Sequence, residues 1–332
     1  MNAFIVDRYG RGSGRLGRMS EPELRDDDVL VEVHAAGVNP LDSKIRNGEF
    51  KLLLPYRLPF MLGNEVAGVV LRVGSAVQCF TAGDEVYARP DKNRIGTFAE
   101  RIAINQSDVA LKPKTLNMEE AASIPLVALT AWQALVDRAK LKRGEKVLIH
   151  AGSGGVGTVA IQLARHLGAL VATTTSSSNV DLVKSLGANV VVDYKSNDFE
   201  RTLRDYDAVL NSLDAQTLRK SLNVLKPGGK LISISGPPDP EFAREMGMNW
   251  GVRQVMRLLS YRIRKAAKRR GVSYSFLFMK ASGDQLREIG RLIDEQKIRP
   301  VVDRVYPFES IAEALAHVET GRAKGKVVVK LR

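Results

Sequence analysis

The run "AGSGGVG" (Ala151–Gly157) places Gly152, Gly154 and Gly157 at the spacing G-x-G-x-x-G. It follows an apolar strand-like run, Lys146–His150, and opens a helical stretch, Gly157–Leu167. In that context Gly152 permits the tight turn, Gly154 lets backbone approach a pyrophosphate, and Gly157 lets helix pack on strand. Ser153, Gly155 and Val156 complete the turn, with free N–H groups and the positive end of the helix dipole facing an anion.

A site for NAD carries Asp or Glu about 20 residues further on, bonded to the ribose 2′-hydroxyl. Here that place reads "TTTSSSN" (Thr173–Asn179), without a carboxylate. Ser176, Ser177 and Asn179 can donate to a 2′-phosphate without repelling it. Tyr194, after the next strand, can do the same, and Lys195 adds positive charge. This pattern favours NADP over NAD, although the stretch has no arginine.

Other reactive residues are sparse. Cys79 is the single cysteine, so neither an intrachain disulfide nor a multi-cysteine zinc site can form. The four histidines, His34, His150, His166 and His317, show no ligand spacing. The net charge is +13, and Met246–Gly283 contains nine basic residues and no acid, which points to an anionic surface as partner. There is no signal-peptide core and no apolar run near the roughly 18 residues of a membrane span, so a cytoplasmic protein is expected.

The elements that must position these residues fall into two sets. Residues 1–120 read as short strands with glycine turns, among them "DVLVEVHAAGV" (Asp28–Val38), "VAGVVLRVG" (Val66–Gly74), "GDEVYAR" (Gly83–Arg89) and "GTFAERIAI" (Gly96–Ile104). Asn117 then caps a helix, and Thr130–Leu141 reads as another. Strands are expected at Lys146–His150, Leu170–Thr174, Val190–Asp193, Ala208–Asn211 and Lys230–Ser235, with helices between them. That alternation makes the fold class α/β, with a doubly wound parallel sheet. Val252, Val255, Met256, Leu259, Ile263 and Ala266 lie at helical spacing, predicting one basic amphipathic helix over about 250–270. The chain ends with helices at Asp284–Ile298 and Ser310–Gly321 and a strand at Lys326–Leu331.

"GVNPLDSKIRNGEF" (Gly37–Phe50), "LGNEVAGVVLRVG" (Leu62–Gly74), "AGDEVYA" (Ala82–Ala88), "AASIPLVALTAWQAL" (Ala121–Leu135), "LKPGGKLISISG" (Leu225–Gly236) and "RAKGKVVV" (Arg322–Val329) occur in that order around the glycine turn. Together they resemble the medium-chain dehydrogenase/reductase superfamily, in its zinc-independent quinone oxidoreductase and enone reductase branch. The resemblance implies a GroES-like β-rich catalytic domain, residues 1–120 and 272–332. A Rossmann NADP-binding domain, residues 121–271, is inserted in it, with the active site in the cleft. It also implies a nicotinamide cofactor and often a homodimer.

Zinc-dependent members of that superfamily hold the metal at positions that here are Asn39, Asn64 and Leu126, which are poor zinc ligands. Hydride must then go to an acceptor that is already activated, a quinone or an α,β-unsaturated carbonyl. Delivery to the β carbon leaves charge on the carbonyl oxygen, which needs a donor. By the resemblance, Lys44 takes that role where many quinone oxidoreductases carry tyrosine. Asn39 bonds to the nicotinamide ribose or the substrate, and Thr130 approaches the nicotinamide. Asn211, Ser212 and Gly236 border the nicotinamide half.

The basic stretch is similar to that of the longer members, including the mitochondrial reticulon-4-interacting protein group, as is "FMKASG" (Phe278–Gly283). Three readings stand for it: a lid over the substrate, peripheral contact with an anionic membrane, or a packed helix with a solvated basic face. Nucleic acid fits the charge, but no recognition motif accompanies it. The competing functional reading is a catalytically weak binding protein of this fold that uses the basic helix.

Overall fold

In the computed structural model, residues 1–51 and 53–332 are described. The chain forms two compact units, Met1–Leu129 with Lys280–Arg332, and Thr130–Met279.

In the first unit the strand Asp28–Val38 is the organising element. Val29, Leu30, Val31, Val33, Ala35, Ala36 and Val38 are all buried, and strands pair with it along both edges. One edge takes Val66–Val73 antiparallel along its length. The other takes Arg101–Asn105 beside its first half and the chain's last strand, Lys326–Lys330, beside its second. The register Val327↔Val38 therefore sets Lys326 beside Asn39, although 287 residues separate them. Helix Pro40–Asn47 follows directly, with proline at its start and Gly48 closing it at φ 82°.

The second unit is built on six parallel strands: β1 (Lys146–Ile149), β2 (Leu170–Thr175), β3 (Val190–Asp193), β4 (Tyr206–Asn211), β5 (Leu225–Ser233) and β6 (Ser273–Phe276). Their order across the sheet is β3-β2-β1-β4-β5-β6. The winding reverses between β1 and β4, and ligands bind at the carboxyl ends of strands at such a reversal. Val147, Leu148, Ile149, Val209, Leu210, Leu231 and Ile232 are buried, as continuous apolar strands require when helices cover both faces.

The second unit runs Thr130–Met279, and Ser273–Phe276 within it pairs parallel with β5 in the same sheet. Two expectations are corrected. The expected helix at Thr130 starts earlier, at Pro125, and passes into a π turn at Gln133–Arg138. The single basic helix is two, Trp250–Leu259 and Tyr261–Arg269. Buried Ser260 separates them, and its Oγ donates to the carbonyl of Met256 at 2.7 Å, a back-bond that bends helices.

Candidate functional site

The carboxyl edge of the parallel sheet gathers most of the residues singled out in the second unit. After β1, Ala151 adopts φ 53°, and Gly154 caps helix Gly155–His166 without any side-chain cap. A Cβ on Gly152 would stand 2.1 Å from Thr173 Oγ1, and one on Gly157 would stand 2.3 Å from the Ala151 carbonyl oxygen. Both glycines are therefore required by packing of the turn itself. Gly154 differs: a Cβ there meets nothing closer than 3.4 Å, so the space beside it is open. The backbone N–H groups of Gly155, Val156 and Gly157 stand at the helix start, where no side chain competes for them. This open, uncapped cradle fits a pyrophosphate.

Ser153 ties the cradle to the hydroxyl-rich end of β2. Its Oγ accepts from Thr175 Oγ1 at 3.0 Å and from Asn179 Nδ2 at 3.1 Å. Asn179 Oδ1 is buried without a partner among the described residues, an acceptor available to a hydroxyl. Ser176 Oγ lies 3.1 Å from Ser178 Oγ, and Ser177 is exposed. Thr173 and Thr174 instead serve the fold, donating to the Ile149 carbonyl and bonding to His150, respectively. β3 delivers Tyr194 beside this edge through the bond from its N–H to the Thr175 carbonyl, and Tyr194 and Lys195 are exposed. Asp193 is the carboxylate at the end of β3, and its Oδ1 accepts from Lys195 N at 3.0 Å.

Beyond the reversal, β4 ends at Asn211. Its Nδ2 donates to the Leu213 carbonyl at 3.2 Å, and its Oδ1 is buried and unpartnered among the described residues. Ser212 Oγ reaches the His150 carbonyl at 3.5 Å. Gly236, past β5, donates its N–H to Ser233 Oγ at 2.8 Å, and a Cβ there would crowd Tyr274 Oη at 2.7 Å. Thr130 is buried inside helix Pro125–Trp132.

His150, just past β1, is buried. Nδ1 lies 3.1 Å from Thr174 Oγ1 and Nε2 2.9 Å from Ser221 Oγ, with the ring edge-on to Phe199. Burial pulls its imidazole down to about 3, so it stands neutral as a structural pin behind the cradle.

In the first unit Asn39 caps helix Pro40–Asn47 and Lys44 lies within it, in different settings. Lys44 is exposed on the last turn, and its side chain has no hydrogen-bond or ion-pair partner among the described residues. Asn39 is buried in a polar network that residue types alone did not reveal. Lys326 Nζ donates to Asn39 Oδ1 at 2.5 Å, Glu65 Oε1 at 2.6 Å and the Val38 carbonyl at 3.2 Å, so all three of its protons are engaged. Asn39 Nδ2 donates to Glu65 Oε1 at 2.8 Å, and Glu65 Oε2 accepts from Leu126 N at 2.8 Å. Asp42 Oδ2 accepts from Asn39 N at 2.7 Å, and Asp42 Oδ1 accepts from Asn64 Nδ2 at 2.7 Å. Burial pushes the Asp42 carboxyl up to about 6, against the lowering effect of its bonds from Asn64 and Asn39. Asn39 is thus committed at both ends of its amide. The available signal was a charged residue opening each of two buried strands, Glu65 before "VAGVV" and Lys326 before "VVV".

These residues do not fit a zinc ion. Asn39 and Asn64 offer amides that are already bonded, and the carboxylate of Glu65 holds the Lys326 ammonium. Among the described residues no group of three or more His, Cys, Asp or Glu comes together to hold a metal.

Comparison with known proteins accords with both units. The family described as alcohol dehydrogenase GroES-like domain matches residues 25–114, and that described as zinc-binding dehydrogenase matches 186–329. The NAD(P)H oxidoreductase RTN4IP1, mitochondrial, of Danio rerio is 35% identical, covering 100% of this chain and 91% of its own. The NADPH-dependent alkenal/one oxidoreductase, chloroplastic, of Arabidopsis thaliana is 36% identical over 99% of this chain and 79% of its own. The structure of the quinone oxidoreductase from Coxiella burnetii superposes with a TM-score of 0.88 at 31% identity, covering 100% of this chain and 99% of that one. Two units with these folds, joined in this order and matched over the whole chain by such relatives, establish that the chain belongs to the medium-chain dehydrogenase/reductase superfamily of oxidoreductases.

Proposed function

We propose that the protein is an NADPH-dependent reductase that works without zinc and transfers hydride to a quinone or to the activated C=C bond of an α,β-unsaturated carbonyl. The observation that carries this reading is the pairing of the open glycine cradle with a carboxylate-free hydroxyl run, tied together through Ser153. The names of the alkenal/one oxidoreductase and quinone oxidoreductase relatives support the acceptor class.

When bound, NADPH supplies the hydride. The N–H groups of Gly155, Val156 and Gly157 would hold its pyrophosphate, and Ser176, Ser177, Asn179, Tyr194 and Lys195 would hold the adenosine phosphate. Asn211, Ser212 and Gly236 would border the nicotinamide half. Asn39, fixed by Lys326 and Glu65, shapes the acceptor side as part of a rigid frame. Lys44 donates a hydrogen bond to the acceptor oxygen as charge gathers there. Water would supply the one proton that, with that hydride, completes the reduction of the acceptor.

Titration of the protein with NADPH and with NADH tests the cofactor assignment. Tighter binding of NADPH is expected; equal or tighter binding of NADH would show that the hydroxyl run does not hold a phosphate.

A further inference from the structure

Helices Trp250–Leu259 and Tyr261–Arg269 are each tied to the second unit along a narrow line. Met256 is the buried residue of the first, and Ile263 and Ala267 anchor the second in the core that includes Leu231 and Val272. A surface helix ordinarily turns its apolar stripe inward. The first helix does that with Met256, yet carries a second apolar stripe facing out. At 3.6 residues per turn, Leu258 lies about 160° around the axis from Met256 and Val255 about 100°. Leu258 is 76% exposed, Leu259 58%, Val255 53%, Trp250 74% and Tyr261 52%. Among the described residues, no other stretch exposes so many large apolar side chains in close succession.

The same stretch is intensely basic. Arg257, Arg262, Lys265, Lys268 and Arg269 are exposed and make no ion pair among the described residues, and no acid occurs from Met246 to Gly283. Lys265 stands 5.3 Å over the Tyr261 ring, holding an aromatic and a cation together at the junction of the helices.

We propose that this two-helix surface docks on the face of a bilayer rich in anionic phospholipid. Aliphatic groups sink below the headgroups while arginines and lysines meet the phosphates, and Trp250 and Tyr261 suit the boundary level. Two other occupants fit less well. A two-fold contact with a second copy would bring the same basic stretch, which carries no acid of its own, against itself. A nucleic acid would satisfy the cations but leave Val255, Leu258 and Leu259 with nothing to bury against. The docking is independent of the redox reading, since none of these residues belongs to the cradle or to helix Pro40–Asn47.

Flotation of the full chain with vesicles tests the proposal. Vesicles of equal phosphatidylcholine and phosphatidylglycerol are expected to carry the protein, more weakly as salt rises, and vesicles of phosphatidylcholine alone are not. Leu258→Glu should lower the affinity at least about tenfold, and Lys265→Ala and Arg269→Ala about fivefold each. All three variants should keep the melting temperature and rate of NADPH oxidation of the parent. The proposal is overturned by failure to bind anionic vesicles, by equal binding to neutral ones, or by Leu258→Glu binding like the parent. It is equally overturned if Leu258→Glu splits a dimer, or if the chain prefers RNA to anionic vesicles in direct competition.

Discussion

Lys326 Nζ lies 2.6 Å from Glu65 Oε1, and both side chains are sealed from water. The pair joins the chain's last strand to the strand that opens at Val66, and it grips the Asn39 amide between them. Removing one partner strands the other charge in the interior. Lys326→Met and Glu65→Gln should each cost about 3–5 kcal/mol, and the double variant should recover part of that loss. Urea unfolding of the four proteins measures this; single variants within 1 kcal/mol of the parent, on the order of an exposed pair, would show that the pair is not buried as described.

The glycine turn separates folding from binding. Gly154→Ala meets no obstruction within 3.4 Å, so its stability should match the parent while its NADPH affinity falls at least about tenfold, because the added methyl occupies the space beside the cradle. Gly157→Ala drives a methyl into the Ala151 carbonyl and should lower stability and binding together. Thermal melts and fluorescence titrations of both variants distinguish the two effects.

Two buried groups give opposite pH dependences. His150, pulled down to about 3, stays neutral in the fold while the unfolded chain takes up a proton below about 6.5. Its contribution to stability is therefore complete above that pH and is lost as pH falls towards 3, by on the order of 4 kcal/mol. Asp42, pushed up to about 6, keeps its proton in the fold while the unfolded chain releases one above about 3.9. It lowers stability as pH rises between those values and adds no slope above them. Unfolding free energies across pH 3–8 should show His150→Gln flattening the acid loss and Asp42→Asn removing the opposing slope.

The parts of the molecule built from local signals were legible in the sequence. The glycine turn, the run Ser176–Asn179 and strands β1 to β4 follow from short-range periodicity and from glycine geometry, and they sit within a residue or two of expectation. What escaped was set by distant partners. β6 is the short "SYSF", which has no apolar run of its own and is a strand only because β5 lies beside it. The pairing of Glu65 with Lys326 spans 261 residues and depends on the register of the final strand. Helical spacing between 250 and 270 predicts one inward apolar face, whereas Val255 and Leu259 of that face stand exposed.

Lys44, exposed and with its side chain unpartnered among the described residues, carries the proposed electrophilic role. Lys44→Met should lower kcat for enone and quinone reduction about 10²-fold, with NADPH affinity unchanged, as expected for a donor that strengthens only as charge develops. Lys44→Arg should retain part of the rate. Steady-state kinetics alongside cofactor titration check this, and an unchanged kcat in Lys44→Met would remove Lys44 from the reaction.

The central claim is hydride transfer from NADPH to a pre-activated acceptor by a site with no zinc. The most direct measurement is turnover of the chelator-treated protein with NADPH and a panel of quinones and α,β-unsaturated ketones, followed by loss of nicotinamide absorbance and by mass of the reduced product. The account predicts saturable NADPH oxidation, a product heavier by two hydrogens, and no gain on adding zinc. No oxidation with any acceptor, or activity that appears only when zinc is restored, would contradict it.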